Sequence, residues 1–162
     1  YNKAKGAKSK SKDALDIDVT LEDVDAAFKN SASQNSSATI APFFNTYESV
    51  VQSELGNGKV ARDIWDGVVD SLGASDTSRM SDIYKIKLAL MDMDQNVDDG
   101  LKRLEALARD AQNKFQDLAY FYLGEYYYSK AQFKQAKESF DKVININPDS
   151  DWAKIAKSKM EG

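Results

Sequence analysis

The stretch that decides the fold runs from Asp117 to Pro148 and reads DLAYFYLGEYYYSKAQFKQAKESFDKVININP. Leu123, Gly124, Tyr127, Ala136, Phe140 and Pro148 stand at the spacings of a helix–turn–helix unit of about 34 residues. Such a unit has one apolar face and cannot bury it alone. It must stack on neighbours of its own kind, and a stack of hairpins makes a groove rather than an enclosed catalytic pocket.

The same pattern extends upstream. Ala61, Gly100 and Ala136 take equivalent places, where a small residue lets two helices approach closely, and Trp65, Leu104 and Phe140 each follow four residues later. The repeat distances are 39 and 36 residues, and the extra length fits loops between units, where it costs little. Phe43, Phe44, Tyr47, Val50 and Val51 keep a helical period, with Pro42 in a first turn. Leu55 to Gly58 breaks that helix before Val60, Ile64, Trp65, Val68, Val69 and Leu72 line a second. Ile83, Tyr84, Leu88 and Met91, a turn at Asp94 to Asn96, then Val97, Leu101, Leu104 and Leu107 make the next pair. The third pair turns at Ser129 to Ala131. After Pro148 a last helix carries Trp152, Ile155, Ala156 and Met160, with lysines 154, 157 and 159 as a solvent-facing cap.

The expected fold is therefore all-α, a superhelix of about three helix pairs over residues 40–73, 80–112 and 115–148, closed by a capping helix over 149–162. Ahead of it, Thr20 with Asp23 three residues on reads as a helix start, with Leu21, Val24, Ala27 and Phe28 on one face. Residues 31–39 read as a loop and residues 1–19 as a flexible basic linker, leaving 20–162 as the repeat domain.

Composition narrows the chemistry. The 162 residues include no cysteine and no histidine, so thiol nucleophiles, disulfides and thiolate or imidazole metal sites are excluded. The commonest acid–base side chain near neutral pH is missing as well. We expect neither enzyme activity nor a cofactor. Five of the 22 basic side chains, Lys3, Lys5, Lys8, Lys10 and Lys12, lie in the first twelve residues, so the rest carries 17 basic against 26 acidic groups. That acidic body is a poor nucleic-acid surface. The basic head suits a solubilising tail, a juxtamembrane segment or a contact to anionic lipid. The chain begins at Tyr1, from which we expect the removal of an upstream signal or anchor.

The pattern resembles the tetratricopeptide repeat family. The third pair keeps Tyr120, Leu123, Gly124, Tyr127, Ala136, Phe140 and Pro148 at signature positions. The second keeps Tyr84, Gly100 and Leu104, and the first keeps Ala61, Trp65 and Val68. As a whole the chain resembles bacterial envelope members of the YfgM-like type, an ancillary subunit of the Sec translocon. That resemblance implies a scaffold binding a protein or an extended peptide in a concave groove, on the periplasmic side, joined to the membrane only through an N-terminal anchor. The alternative is a cytoplasmic adaptor or co-chaperone.

In the geometry that the resemblance implies, Phe121, Glu125 and Tyr128 line the groove from the third pair. Asp82, Lys85 and Asp92 do so from the second. Tyr120, Leu123 and Tyr127 share the packing face instead. Tyrosine in a groove offers a large apolar area with a polar tip and little entropy to lose. The aromatic face also fits pairing of two copies, a homodimer. Asp92 and Asp94, with Asp98 and Asp99, lack the glycine and glutamate of a calcium loop and read as helix-end acids.

The small-residue register carries a direct test. Phe140→Ala should cost about 3–5 kcal/mol in a denaturant titration, and a loss below about 1 kcal/mol would place the register elsewhere.

Overall fold

The computed structural model describes residues 19–35, 41–72, 79–95 and 99–161. Among them are eight helices and no strand: α1 (Leu21–Gln34), α2 (Ala41–Glu54), α3 (Gly58–Leu72), α4 (Arg79–Asp94), α5 (Asp99–Arg109), α6 (Gln116–Ser129), α7 (Phe133–Ile146) and α8 (Asp151–Glu161). Helices α2–α3, α4–α5 and α6–α7 form hairpins. Contacts of α3 with α4, α5 with α6 and α7 with α8 stack them in chain order. Helix α1 lies on α2, and α6 also reaches α8. The molecule is the all-α superhelix of stacked pairs expected from the sequence.

The second helix of each pair explains the stacking. Its buried residues are Ala61, Trp65 and Val68 in α3, Gly100, Leu104 and Ala108 in α5, and Ala136, Phe140 and Val143, with Ser139 beside them, in α7. These spacings place one apolar stripe along one side of each helix. At Gly100 an added Cβ would lie 2.6 Å from the Met93 amide nitrogen, and at Gly124 it would overlap the Phe140 ring. Close helix approach therefore depends on both glycines. The buried apolar residues form three clusters in chain order, with Trp65 and Met91 in the first, Ile86, Leu104, Leu118 and Leu123 in the second, and Phe121, Phe140 and Ala153 in the third.

Helix α1 departs from expectation. Its start is the predicted one: Thr20 Oγ1 accepts from the Asp23 N–H at 3.2 Å, and the Asp23 carboxylate accepts from the Thr20 N–H at 3.0 Å. Yet it continues to Gln34, four residues into the segment read as a loop. The Ser31 hydroxyl folds back on the Ala27 carbonyl at 2.8 Å, and the Asn35 amide donates to Ser31 at 2.8 Å. Both side chains find carbonyls within the helix, so their polar groups are satisfied without the chain leaving it. Ala27 is exposed, and the buried residue is Asp25. Residues 1–18, which hold the basic head, and 36–39 lie outside the described residues.

Asp25 is buried because its partner helix is polar at that point. It accepts from Lys29 Nζ at 2.6 Å and from Gln52 Nε2 of α2 at 2.7 Å. Glu48 of α2 is also buried, 4.0 Å from the same lysine. Phe28 stacks on Tyr47 at 5.3 Å. The Lys29 hydrogen bond holds the Asp25 carboxyl below its ordinary range against burial. Burial pushes Glu48 up, and the more distant Lys29 only partly opposes it.

A second buried acid ties the hairpins together. Asp92 of α4 is fully buried. It accepts from Arg62 Nε of α3 at 2.7 Å and from Arg103 Nη1 of α5 at 2.8 Å. Arg62 also pairs with Asp66 at 3.0 Å and Asp63 at 3.3 Å.

Removing one partner of a buried pair strands the other charges. Asp92→Ala should therefore cost about 3–5 kcal/mol in urea unfolding, whereas a near-neutral result would mean that the arginines regain full hydration. Glu48 acts in the opposite sense. Its raised carboxyl pKa means that the fold resists ionisation, so Glu48→Gln should be more stable at neutral pH. The gain should shrink as pH falls through the raised value and vanish below the ordinary glutamate range, as thermal melts across pH would record.

Candidate functional site

Helix α4 lies between α3 and α5, and the Trp65 indole N–H holds it by donating to the Tyr84 carbonyl at 3.0 Å. Above this seam is a cleft of about 370 Å³. Leu88 of α4 contributes its floor, Val69 of α3 one wall, and Ala106 and Leu107 of α5 the other. Asp66, Asp70, Lys85 and Arg103 form its charged margin. On α3 residues 66, 69 and 70 share a face because they are three and four apart. The same holds for 103, 106 and 107 on α5. Each face adjoins the buried stripe of its helix, so the cleft follows from the way the stripes stack.

The margin charges fall into two classes. Asp66, Arg62, Asp92 and Arg103 form one ionic chain across three helices. Lys85 and Asp70 have no ion-pair partner among the described residues. Lys85 is only partly exposed, as a lysine is when its stem lies along an apolar floor.

The next valley, between α5, α6 and α7, differs. Tyr120 and Tyr127 fill its floor and leave about 220 Å³. The Tyr127 hydroxyl donates to Glu105 at 2.9 Å, and Arg109 pairs with the same carboxylate at 3.0 Å. Burial, then the bond to Glu105, raises the Tyr127 phenol pKa. A further cleft of about 250 Å³ lies among α6, α7 and α8, beside the exposed Tyr128 and Phe133. There Lys159 pairs with Glu125 at 2.7 Å and sits 5.6 Å above the Tyr128 ring. Lys137 pairs with Asp141 at 3.4 Å.

The six residues read from sequence as one groove do not share a surface. Lys85 alone reaches the α3–α4–α5 cleft. Asp92 is locked between two arginines. Asp82 is buried and accepts from the Lys114 amide at 2.9 Å, so it fastens the α5–α6 connection. Phe121 is a core residue, 5.4 Å from Trp152 and 6.1 Å from Phe140. Glu125 and Tyr128 stand together at the α6–α8 margin. The physical reason is that α8 covers the α6 face that was read as open groove and as a pairing face for a second copy. Sequence reasoning missed Asp70, Val69, Arg103, Ala106 and Leu107 as a cluster. The available signal was that Val69 and Leu107 stand at the edges of their apolar stripes, beside charges on the same face.

Comparison with models of known families, with curated proteins and with solved structures gives no significant match. No helix among the described residues is long and apolar enough to cross a membrane.

Proposed function

We propose that the protein is a non-enzymatic binding scaffold of the tetratricopeptide repeat type, and that it receives a segment of another protein in the α3–α4–α5 cleft. The observation that carries this reading is the cleft itself: an open apolar floor of side-chain size bordered by uncompensated charge. Such a surface excludes water poorly when empty, and it gains from covering by an apolar side chain. The buried acids support a structural assignment, since Asp82, Asp92 and Asp117 are each held by backbone, arginine or amide partners.

The setting we favour is bacterial envelope protein export or assembly, with an N-terminal anchor or signal preceding the chain. The five lysines of the first twelve residues favour a second reading, a cytoplasmic adaptor, because lysine-rich flanks of a membrane segment stay on the cytoplasmic side.

Peptides selected from a random library on the immobilised protein test the binding reading. Ala106 is exposed at the cleft wall, so Ala106→Trp fills the space without entering the core. Fluorescence anisotropy should show binding of selected peptides weakened at least about tenfold by this variant, a difference of about 1.4 kcal/mol. Equal affinity for both proteins would reject the cleft.

A further inference from the structure

The ionic chain of three helices decides which charges a ligand can use. Asp66 is neutralised by Arg62 and Arg103 by Asp92. Lys85 and Asp70 are of opposite sign and border the same cleft, yet they do not pair with each other or with any other described residue. An exposed ion pair of this kind would gain little. Lys85 is only partly exposed and borders the apolar floor beside Leu88 and Val69. A ligand that covers this floor excludes water from it, so an anion it brings to Lys85 makes a pair worth more than an exposed one and orients the ligand.

We propose that the cleft is charge-coded: its occupant is a protein segment with an apolar side chain seated on Val69, Leu88 and Leu107, a carboxylate against Lys85, and a basic side chain against Asp70. The inference rests on the reading of this cleft as a peptide site and adds the partner's chemistry and orientation. The two charges lie on different helices, Lys85 on α4 and Asp70 on α3, so a segment with two bases meets a like charge at Lys85 whichever way its chain runs. Rejection of the like-charged segment is therefore part of the recognition. The valley between α5, α6 and α7 also has charges unpaired among the described residues, Glu138 and Lys142, but both stand on α7, and the Tyr120 and Tyr127 rings take the place of an open apolar floor.

Three short synthetic peptides provide the test: a leucine flanked by glutamate on one side and lysine on the other, a version with lysine at both, and a version with glutamine at both. Wild-type protein should bind the mixed-charge peptide roughly tenfold more tightly than the two-lysine one, with glutamine between them and the preference fading at high salt. Lys85→Glu should abolish or invert that preference while circular dichroism shows the same helix content. Because the peptide comparison is measured on wild-type protein, the test stands even if the variant folds poorly. If all three peptides bind equally and Ala106→Trp blocks them all, the charge code is wrong and the cleft reading survives. If none binds while library-selected peptides do, the proposed partner chemistry is wrong. If neither class binds, both readings fall together.

Discussion

Asp92 is the constraint on which the rest of the molecule turns. Its carboxylate is fully removed from water and answers two guanidinium groups, one from each flanking helix. Desolvating these charges is expensive, and a well-packed apolar trio could serve stability as well or better. What the ions add is position. A carboxylate between two arginine forks satisfies its lone pairs in few geometries, whereas apolar stripes slide at small cost. The arrangement fixes how far α3 and α5 stand apart over α4, which a stack of similar hairpins does not otherwise specify. We take this register role as a hypothesis, and the cooperativity of the Asp92→Ala variant decides it.

The same spacing shapes the cleft. Arg103 is both a partner of Asp92 and a wall of the cavity, and Asp66 on the opposite wall is tied to Asp92 through Arg62. The walls are thus held by the buried acid beneath them. A binding surface built this way is organised before a ligand arrives, so little ordering cost falls on association. Only Lys85 and Asp70 stay outside the network, and they are the groups with electrostatic free energy left to gain.

Much of the architecture was legible in the sequence. The positions of Ala61, Gly100 and Ala136 mark where hairpin helices touch, and Gly100 meets a backbone nitrogen as closely as that requirement implies. Helix limits followed from local signals such as the Thr20–Asp23 box and the turn at Ala131, whose φ of 55° places it in the left-handed region. The site was harder to read because its contacts are not local. Arg62 and Asp92 are thirty residues apart, and Glu125 and Lys159 are thirty-four apart. Assigning Phe121, Glu125 and Tyr128 to an open face left the expected capping helix off that side, whereas α8 lies against it through Trp152 and Lys159. Ser31 to Gln34 was misjudged for the opposite reason: serines favour loops by propensity, but here the Ser31 hydroxyl found a carbonyl one helical turn back.

The contrast between the two valleys gives the strongest reason to place recognition near α4. Both are made alike, from the second helices of adjacent pairs over the first helix of the later pair. In the C-terminal valley Tyr120 and Tyr127 occupy the floor, and Glu105 engages both a phenol and an arginine. The two rings take the floor of that valley, and the charges left unpaired among the described residues, Glu138 and Lys142, both lie on its α7 wall. In the N-terminal valley Leu88 leaves the floor low, Ala106 leaves the wall short, and Lys85 has no described partner. Ala106 is exposed, so what the open valley leaves uncovered is the apolar floor, and covering that floor is favourable. The closely packed valley shows that this architecture can close such a gap with its own side chains, so the open one is better explained by an occupant than by poor packing.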